Sequence, residues 1–175
     1  MAKVFWFTGL SGSGKTTIAL GVKELLDKDN LKTLILDGDE IRNRYPEKLG
    51  FTRDEISKNI RNIIELCFEN MKDNDVIFVP VINPLDDLRE EARKKFQNNF
   101  YLVYCNANLN SVSERDVKGL YQKAKEGIIN DMIGFSDKNP YEIPTNADFT
   151  LDTNIDGDSP EQSAKKLYQF VKKNI

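Results

Sequence analysis

The sequence predicts an α/β three-layer sandwich, with a mostly parallel central sheet between two layers of helices. Three observations carry this. Short runs of continuous apolar residues at 3–8, 33–36, 76–82 and 101–105 lack the alternation of a half-solvated sheet, so they read as strands buried on both faces. Amphipathic helical patterns lie between them, as right-handed crossovers between parallel strands require. The first strand runs directly into Gly9-Leu10-Ser11-Gly12-Ser13-Gly14-Lys15-Thr16, a glycine-rich turn that opens a helix.

Taken in order, the strand at 3–8 is built on Val4-Phe5-Trp6-Phe7. The helix after the glycine loop carries Ile18, Val22, Leu25 and Leu26 on one face and ends at Asp29-Asn30. Thr33-Leu34-Ile35-Leu36 is a second buried strand that runs into Asp37-Gly38-Asp39 and completes a βαβ unit. Residues 40–51 read as irregular and charged, with Arg42, Arg44 and Lys48. Thr52-x-x-Glu55 predicts a capping box, and Ile60, Ile63, Ile64, Cys67 and Met71 mark the helix that follows, broken by Asp73-Asn74-Asp75. A third strand covers 76–82 and stops at Asn83-Pro84. Leu85, Leu88, Ala92 and Phe96 define the next helix, and Tyr101–Cys105 the fourth strand. Ser111-x-x-Glu114 predicts the cap of a further helix. Residues 115–146 combine weak periodicity, many charges and scattered Gly and Pro, which suits a mobile active-site segment better than core. Phe149-Thr150-Leu151 is a short last strand. Ser159, Pro160 and Gln162 start the final helix as cap, first-turn proline and reciprocal partner, with Ala164, Leu167, Tyr168 and Val171 on its buried face. No repeat, low-complexity tract or linker interrupts this order, so 1–175 is expected to be a single domain.

The bulk composition narrows the chemistry. A net charge of −3 argues against broad nucleic-acid binding. With no histidine, acid–base work falls to carboxylates, Lys or Tyr, and imidazole metal sites are excluded. Cys67 and Cys105 sit in apolar patterns without metal spacing and are expected to be free buried thiols, as in a reducing compartment. The run at 76–82 is far too short to span a bilayer, and the N-terminus lacks the form of a signal peptide, so a cytoplasmic location with no membrane partner is expected.

Residues 9–16 fit Gly-x-x-x-x-Gly-Lys-[Ser/Thr], the phosphate loop of P-loop NTPases. Such a loop turns successive backbone N–H groups onto one anion at a helix N-terminus, where the dipole favours negative charge. Gly9, Ser11, Gly12, Ser13, Gly14, Lys15, Thr16 and Thr17 are therefore candidate ATP contacts. Lys15 is expected to reach the β- and γ-phosphates, and the Thr16 hydroxyl to ligate Mg²⁺, with Asp37 holding the ion through water. The guanine-reading Asn-Lys-x-Asp does not occur, and a motor would normally need more chain; a small kinase remains. Such an enzyme holds ATP on one side and presents an acceptor hydroxyl in line with the γ-phosphate. Asp39 follows the C-terminal end of a strand, where open parallel sheets place ligands, and could accept or orient the acceptor's proton. Read alone, Asp37-Gly38-Asp39 also fits a strand-end turn, Phe51 a core aromatic, and Arg42, Arg115 and Lys118 solvated charges.

Several segments in order resemble the adenylylsulfate (APS) kinase family over nearly the whole chain. They are the phosphate loop with Thr17, Leu36-Asp37-Gly38-Asp39-Glu40-Ile41-Arg42, Leu49-Gly50-Phe51 with Asn59-Ile60-Arg61, Glu114-Arg115-Asp116-Val117-Lys118-Gly119-Leu120-Tyr121, Tyr141-Glu142 before Pro144, and Leu151-Asp152-Thr153. The resemblance implies a P-loop NTPase fold and Mg²⁺-dependent transfer of the ATP γ-phosphate to the ribose 3′-hydroxyl of a small nucleotide, with adenylyl sulfate as the leading acceptor. It implies that Asp39 and Arg42 are acceptor-site residues, that Phe51 stacks on the acceptor base, that Asn59 and Lys118 make further acceptor contacts, and that Arg115 is a lid arginine beside ATP. Lys15 and Arg115 would offset charge building on the transferring phosphoryl group. Similar kinases are often homodimers, although no stretch identifies a dimer face.

Three departures fall in the acceptor half. The family's Asp-Arg pair after Gly-Phe is Glu55-Ile56 here, removing an anion-reading arginine. The family's Ile-Ser-Pro is Ile82-Asn83-Pro84. Its Gly-Phe-Thr-Gly aligns with Asp131-Met132-Ile133-Gly134, so Met132 stands where an aromatic faces the acceptor base, and Met132 and Ile133 are carried as acceptor contacts. A lost charge-assisted bond is worth ~1.5–3 kcal/mol. Two alternatives therefore stand beside adenylyl sulfate: a 3′-kinase for a related nucleotide such as cytidine diphosphoramidate in bacterial capsule synthesis, whose neutral amide replaces a sulfate oxygen, and an ATP-binding regulator without turnover.

Overall fold

The first strand sets the architecture, because alternate side chains of Val4-Phe5-Trp6-Phe7 go to opposite faces of the sheet and every one is fully buried. Val4 and Trp6 enter one core with Ile77, Val79 and Leu102; Phe5 and Phe7 enter the other with Phe78, Val103 and Cys105. A strand covered on both faces has no polar side to show, hence the continuous apolar run. The computed structural model describes residues 1–46 and 49–175, so the expectation for Lys48 lies outside the described residues.

Strands β1 (Lys3–Thr8), β2 (Thr33–Ile35), β3 (Val76–Pro80), β4 (Phe100–Asn106) and β5 (Phe149–Asp152) form a parallel sheet in the order β2-β3-β1-β4-β5. Helices α3 (Arg53–Asn70) and α4 (Asp86–Phe96) cover one face through Ile60, Ile63, Ile64, Leu88 and Ala92. Helices α1 (Lys15–Lys28) and α7 (Pro160–Asn174) cover the other through Ile18, Val22, Leu26, Leu167 and Val171. Short helices α2 (Gly38–Arg42), α5 (Leu109–Arg115) and α6 (Leu120–Lys125) lie beyond the strands' C-terminal ends. This is the predicted three-layer sandwich.

Both predicted capping boxes form, at Thr52 with Glu55 and at Ser159 with Gln162. Elsewhere the local expectations need correction. Residues 40–51 are not wholly irregular: the Asp37 carboxylate caps α2 by accepting from Asp39 N and Glu40 N. The third strand ends at Pro80 rather than residue 82, where the chain bends towards Asn83, which has a positive φ of 37°. Ser111 is not a cap; Asn108 is, its side chain accepting from Ser111 N at 2.8 Å, so α5 begins before Ser111. Leu25 and Tyr168 are only half-buried. Residues 115–146 contain core after all: α6 buries Tyr121 and Ala124 with Leu10, Ala107, Val112 and Met132 in a third apolar cluster.

Candidate functional site

At the C-terminal end of β1 the chain turns tightly against β4. A Cβ on Gly9 would lie 2.6 Å from the Cys105 carbonyl oxygen, so a side chain there has no room. Gly14 has φ 90° and forms the left-handed cap from which α1 starts. The Lys15 side chain folds back over this loop: its ammonium donates to Gly9 O at 2.8 Å, Leu10 O at 2.7 Å and Ser13 Oγ at 3.3 Å. Burial pushes its pKa down to about 8, and the carboxylates of Asp39 and Asp37 pull in the opposite direction.

The chain leaving β2, separated from β1 by β3 in the sheet, delivers the acids. Thr16 Oγ1 donates to Asp37 Oδ2 at 2.7 Å, while Asp37 Oδ1 holds the start of α2. Two residues further, Asp39 pairs with the Lys118 ammonium, which arrives from the segment after α5. Thus the phosphate loop, the Asp-Gly-Asp turn and Lys118 converge although they lie far apart in sequence.

Two cavities flank the phosphate loop, and Gly12, Gly14, Thr17 and Val117 border both. The first extends from Ser11, Lys15 and Thr16 past Asp37, Asp39 and Lys118 to Arg42, Phe51, Ile56, Asn59, Asn83 and Ile133. The second lies towards Ser13, Arg115 and the loop 153–159 between β5 and α7. Every candidate except Gly9 and Met132 borders one or the other: Gly9 lies under the loop against β4, and Met132 is buried in the third cluster. Arg115 donates to Gly12 O at 3.3 Å and to Thr153 O, spanning from the phosphate loop to the end of β5. Arg42 is committed to its own chain: Nη1 donates to Gly50 O at 2.7 Å and Leu49 O at 3.2 Å, and the guanidinium lies 4.9 Å from the Phe51 ring centre. Asn59 is buried, and its Oδ1 has no partner among the described residues.

Reading the sequence missed Arg89. It is 1% exposed and donates to Asn83 O at 2.9 Å, Asp86 Oδ1 at 2.9 Å and Glu142 O at 2.7 Å. It ties the chain after β3 to the end of the 115–146 segment, where the Tyr141 hydroxyl also lies 2.8 Å from Thr8 Oγ1. A charged residue in an amphipathic helix reads as solvated, and nothing local marks Arg89 as buried. Tyr121 is likewise structural and local to the site: its hydroxyl donates to Ser11 O at 2.8 Å and pins the phosphate loop to α6.

The chain is similar throughout to known kinases. The family model described as adenylylsulphate kinase matches residues 1–152. An adenylyl-sulfate kinase of Prochlorococcus marinus is 42% identical over 153 residues, 87% of this chain and 75% of that protein. One from Picosynechococcus is 40% identical over 167 residues, 94% of this chain and 93% of the relative. Among solved structures, the Mycobacterium tuberculosis APS kinase in complex with AMPPNP and APS superposes with a TM-score of 0.89 at 33% identity, covering 98% of both chains. These matches span the phosphate loop, the Asp-Gly-Asp turn and the Lys118 segment that the fold brings together, and the chain belongs to the adenylylsulphate kinase family.

Proposed function

We propose that this protein transfers the γ-phosphate of ATP to the ribose 3′-hydroxyl of adenylyl sulfate, releasing ADP and 3′-phosphoadenylyl sulfate. The observation that carries this is the shared wall: Lys15, Thr16, Asp37 and Asp39 border one cavity that continues to Phe51 and Asn59. In this reading the adenosine part of ATP occupies the cavity beside Arg115 and the loop 153–159, and the acceptor enters past Phe51.

Lys15 exchanges its loop carbonyls for phosphate oxygens, and its charge offsets that of the triphosphate. Arg115, fixed between Gly12 and Thr153, adds a second cation on the ATP side. Asp39 accepts the 3′-hydroxyl proton as the oxygen bonds to the γ-phosphorus and the bond to ADP breaks. Its partner Lys118 holds that carboxylate at the cavity edge. The Thr16 hydroxyl and Asp37 Oδ2, 2.7 Å apart and both oxygen donors, fit a Mg²⁺ site, and they are the residues that would hold the ion. When bound, Mg²⁺ neutralises charge on the β- and γ-oxygens.

One observation favours a second acceptor. Ile56, 4% exposed, borders the acceptor-side cavity where the family carries an arginine. An apolar wall suits a less anionic partner such as cytidine diphosphoramidate. No helix among the described residues is long and apolar enough to cross a membrane, and both cysteines are free and buried; we place the protein in the cytoplasm. Phosphorus NMR of the product of ATP, Mg²⁺ and adenylyl sulfate tests the reaction. A new 3′-phosphomonoester resonance is expected; phosphate on any other position, or none, overturns it.

A further inference from the structure

The turn Leu49–Thr52, which carries Phe51 to the acceptor-side cavity, contains no regular structure, and Leu49, Gly50 and Phe51 are half-buried. Two opposite charges hold it. From one side Arg42 donates to the carbonyls of Leu49 and Gly50. From the other, Glu55 Oε1 accepts from Gly50 N at 2.9 Å, and Oε2 accepts from Thr52 N at 3.1 Å and Thr52 Oγ1 at 2.6 Å. Gly50 therefore has its N–H and its C=O each bound by a charged side chain. A Cβ on Gly50 would sit 2.7 Å from Glu55 Oε2, so a side chain there would push the carboxylate out of this contact.

Helix capping explains only part of this. The capping box accounts for the Thr52–Glu55 pair and satisfies the first turn of α3. The bond to Gly50 lies outside the helix and contributes nothing to its hydrogen bonds. What it does is fix the residue before Phe51, one face of whose ring is covered by the Arg42 guanidinium. We propose that Glu55 is a positioning residue of the acceptor site, acting with Arg42 to set Phe51 as the surface on which the acceptor nucleotide's base stacks. This rests on the proposed reaction. It gives Arg42, which also borders the acceptor-side cavity, the work of bracing the turn, and gives Glu55 a task that its place in the sequence does not announce.

The test is adenylyl sulfate binding by titration calorimetry in the presence of ADP and Mg²⁺, together with steady-state ADP release, for wild type, Glu55→Gln, Gly50→Ala and Thr52→Ala. Glu55→Gln keeps one acceptor oxygen for the cap but cannot hold both Gly50 and Thr52 as the carboxylate does. It and Gly50→Ala are expected to raise the Kd and KM for adenylyl sulfate about tenfold, with kcat and the KM for ATP within about twofold, since displaced groups cost positioning rather than chemistry. Thr52→Ala is expected to lower the melting temperature while leaving both acceptor constants within about twofold. Unchanged acceptor constants in Glu55→Gln, or the same response in Thr52→Ala, overturn the positioning role. Wild-type binding without turnover overturns the reaction and leaves the clamp to be judged on Kd; absence of wild-type binding overturns both.

Discussion

The Asp39 carboxylate is ion-paired with the Lys118 ammonium, joining the first turn of α2 to the segment after α5. Both side chains are more than half exposed, at 65% and 53%, and exposed pairs contribute only ~0–1 kcal/mol to stability. Its importance lies in position: it places a lysine beside the carboxylate proposed to take the acceptor's proton. Asp39→Ala is therefore expected to lower kcat by about 10² or more, the size of an acid–base contribution, while ATP still binds. Equilibrium ATP titration alongside turnover checks both halves; unchanged turnover removes Asp39 from the mechanism.

Lys118→Met is expected to raise the KM for the acceptor by about tenfold, the worth of one charge-assisted bond, while leaving the urea midpoint nearly unchanged. A large loss of stability would show that the pair is structural instead. Saturation curves for each substrate, with urea unfolding on the same preparations, distinguish these.

Lys15 gives a pH dependence. Burial lowers its pKa to about 8 in the folded chain, from 10.5. In the free enzyme the ammonium proposed to meet the triphosphate is thus lost as pH rises through about 8, and kcat/KM for ATP is expected to fall above it. Once ATP is bound, phosphate charge favours the ammonium, so kcat is expected to fall less. The stability sign is opposite. A lysine whose folded value lies below its unfolded one opposes folding while charged, so this group's contribution improves between about 8 and 10.5. A kcat/KM profile for ATP that stays flat to pH 9.5 would contradict the first expectation.

Arg89 is a stability prediction. Arg89→Met would leave the carbonyls of Asn83 and Glu142 without their buried donor, and a loss of about 3 kcal/mol is expected from hydrogen bonds to a charged group. Arg89→Lys is expected to recover only part of it, because an ammonium cannot reproduce the guanidinium fork. Urea unfolding of both variants measures this; a loss below about 1 kcal/mol would mean that the network is not holding the end of the 115–146 segment.

What could be read from the chain follows from the range of the forces involved. β1 was legible because both faces of the strand are buried, and the phosphate loop because its chemistry lies within eight consecutive residues. The caps at Thr52 and Ser159 were legible because a cap is a local exchange of hydrogen bonds. The cap misassigned to Ser111 shows the weakness of the same signal: Asn108, three residues earlier, offers an equally good acceptor, and it starts α5. Tyr121 and Met132 were invisible as core because the cluster they join is completed by Leu10, from a segment more than a hundred residues earlier. Arg42 was placed at the acceptor site, and it borders that cavity, yet its hydrogen bonds go to Leu49 and Gly50, which only the fold could reveal.

Coupled ADP release with ATP and Mg²⁺, screened across adenylyl sulfate, AMP and cytidine nucleotides including cytidine diphosphoramidate, tests the reaction most directly. Saturable release with adenylyl sulfate, abolished by Lys15→Ala and by Asp39→Ala, is expected. Release confined to a cytidine nucleotide would keep the phosphoryl transfer and replace the acceptor, and no release with any nucleotide would contradict the kinase reading itself.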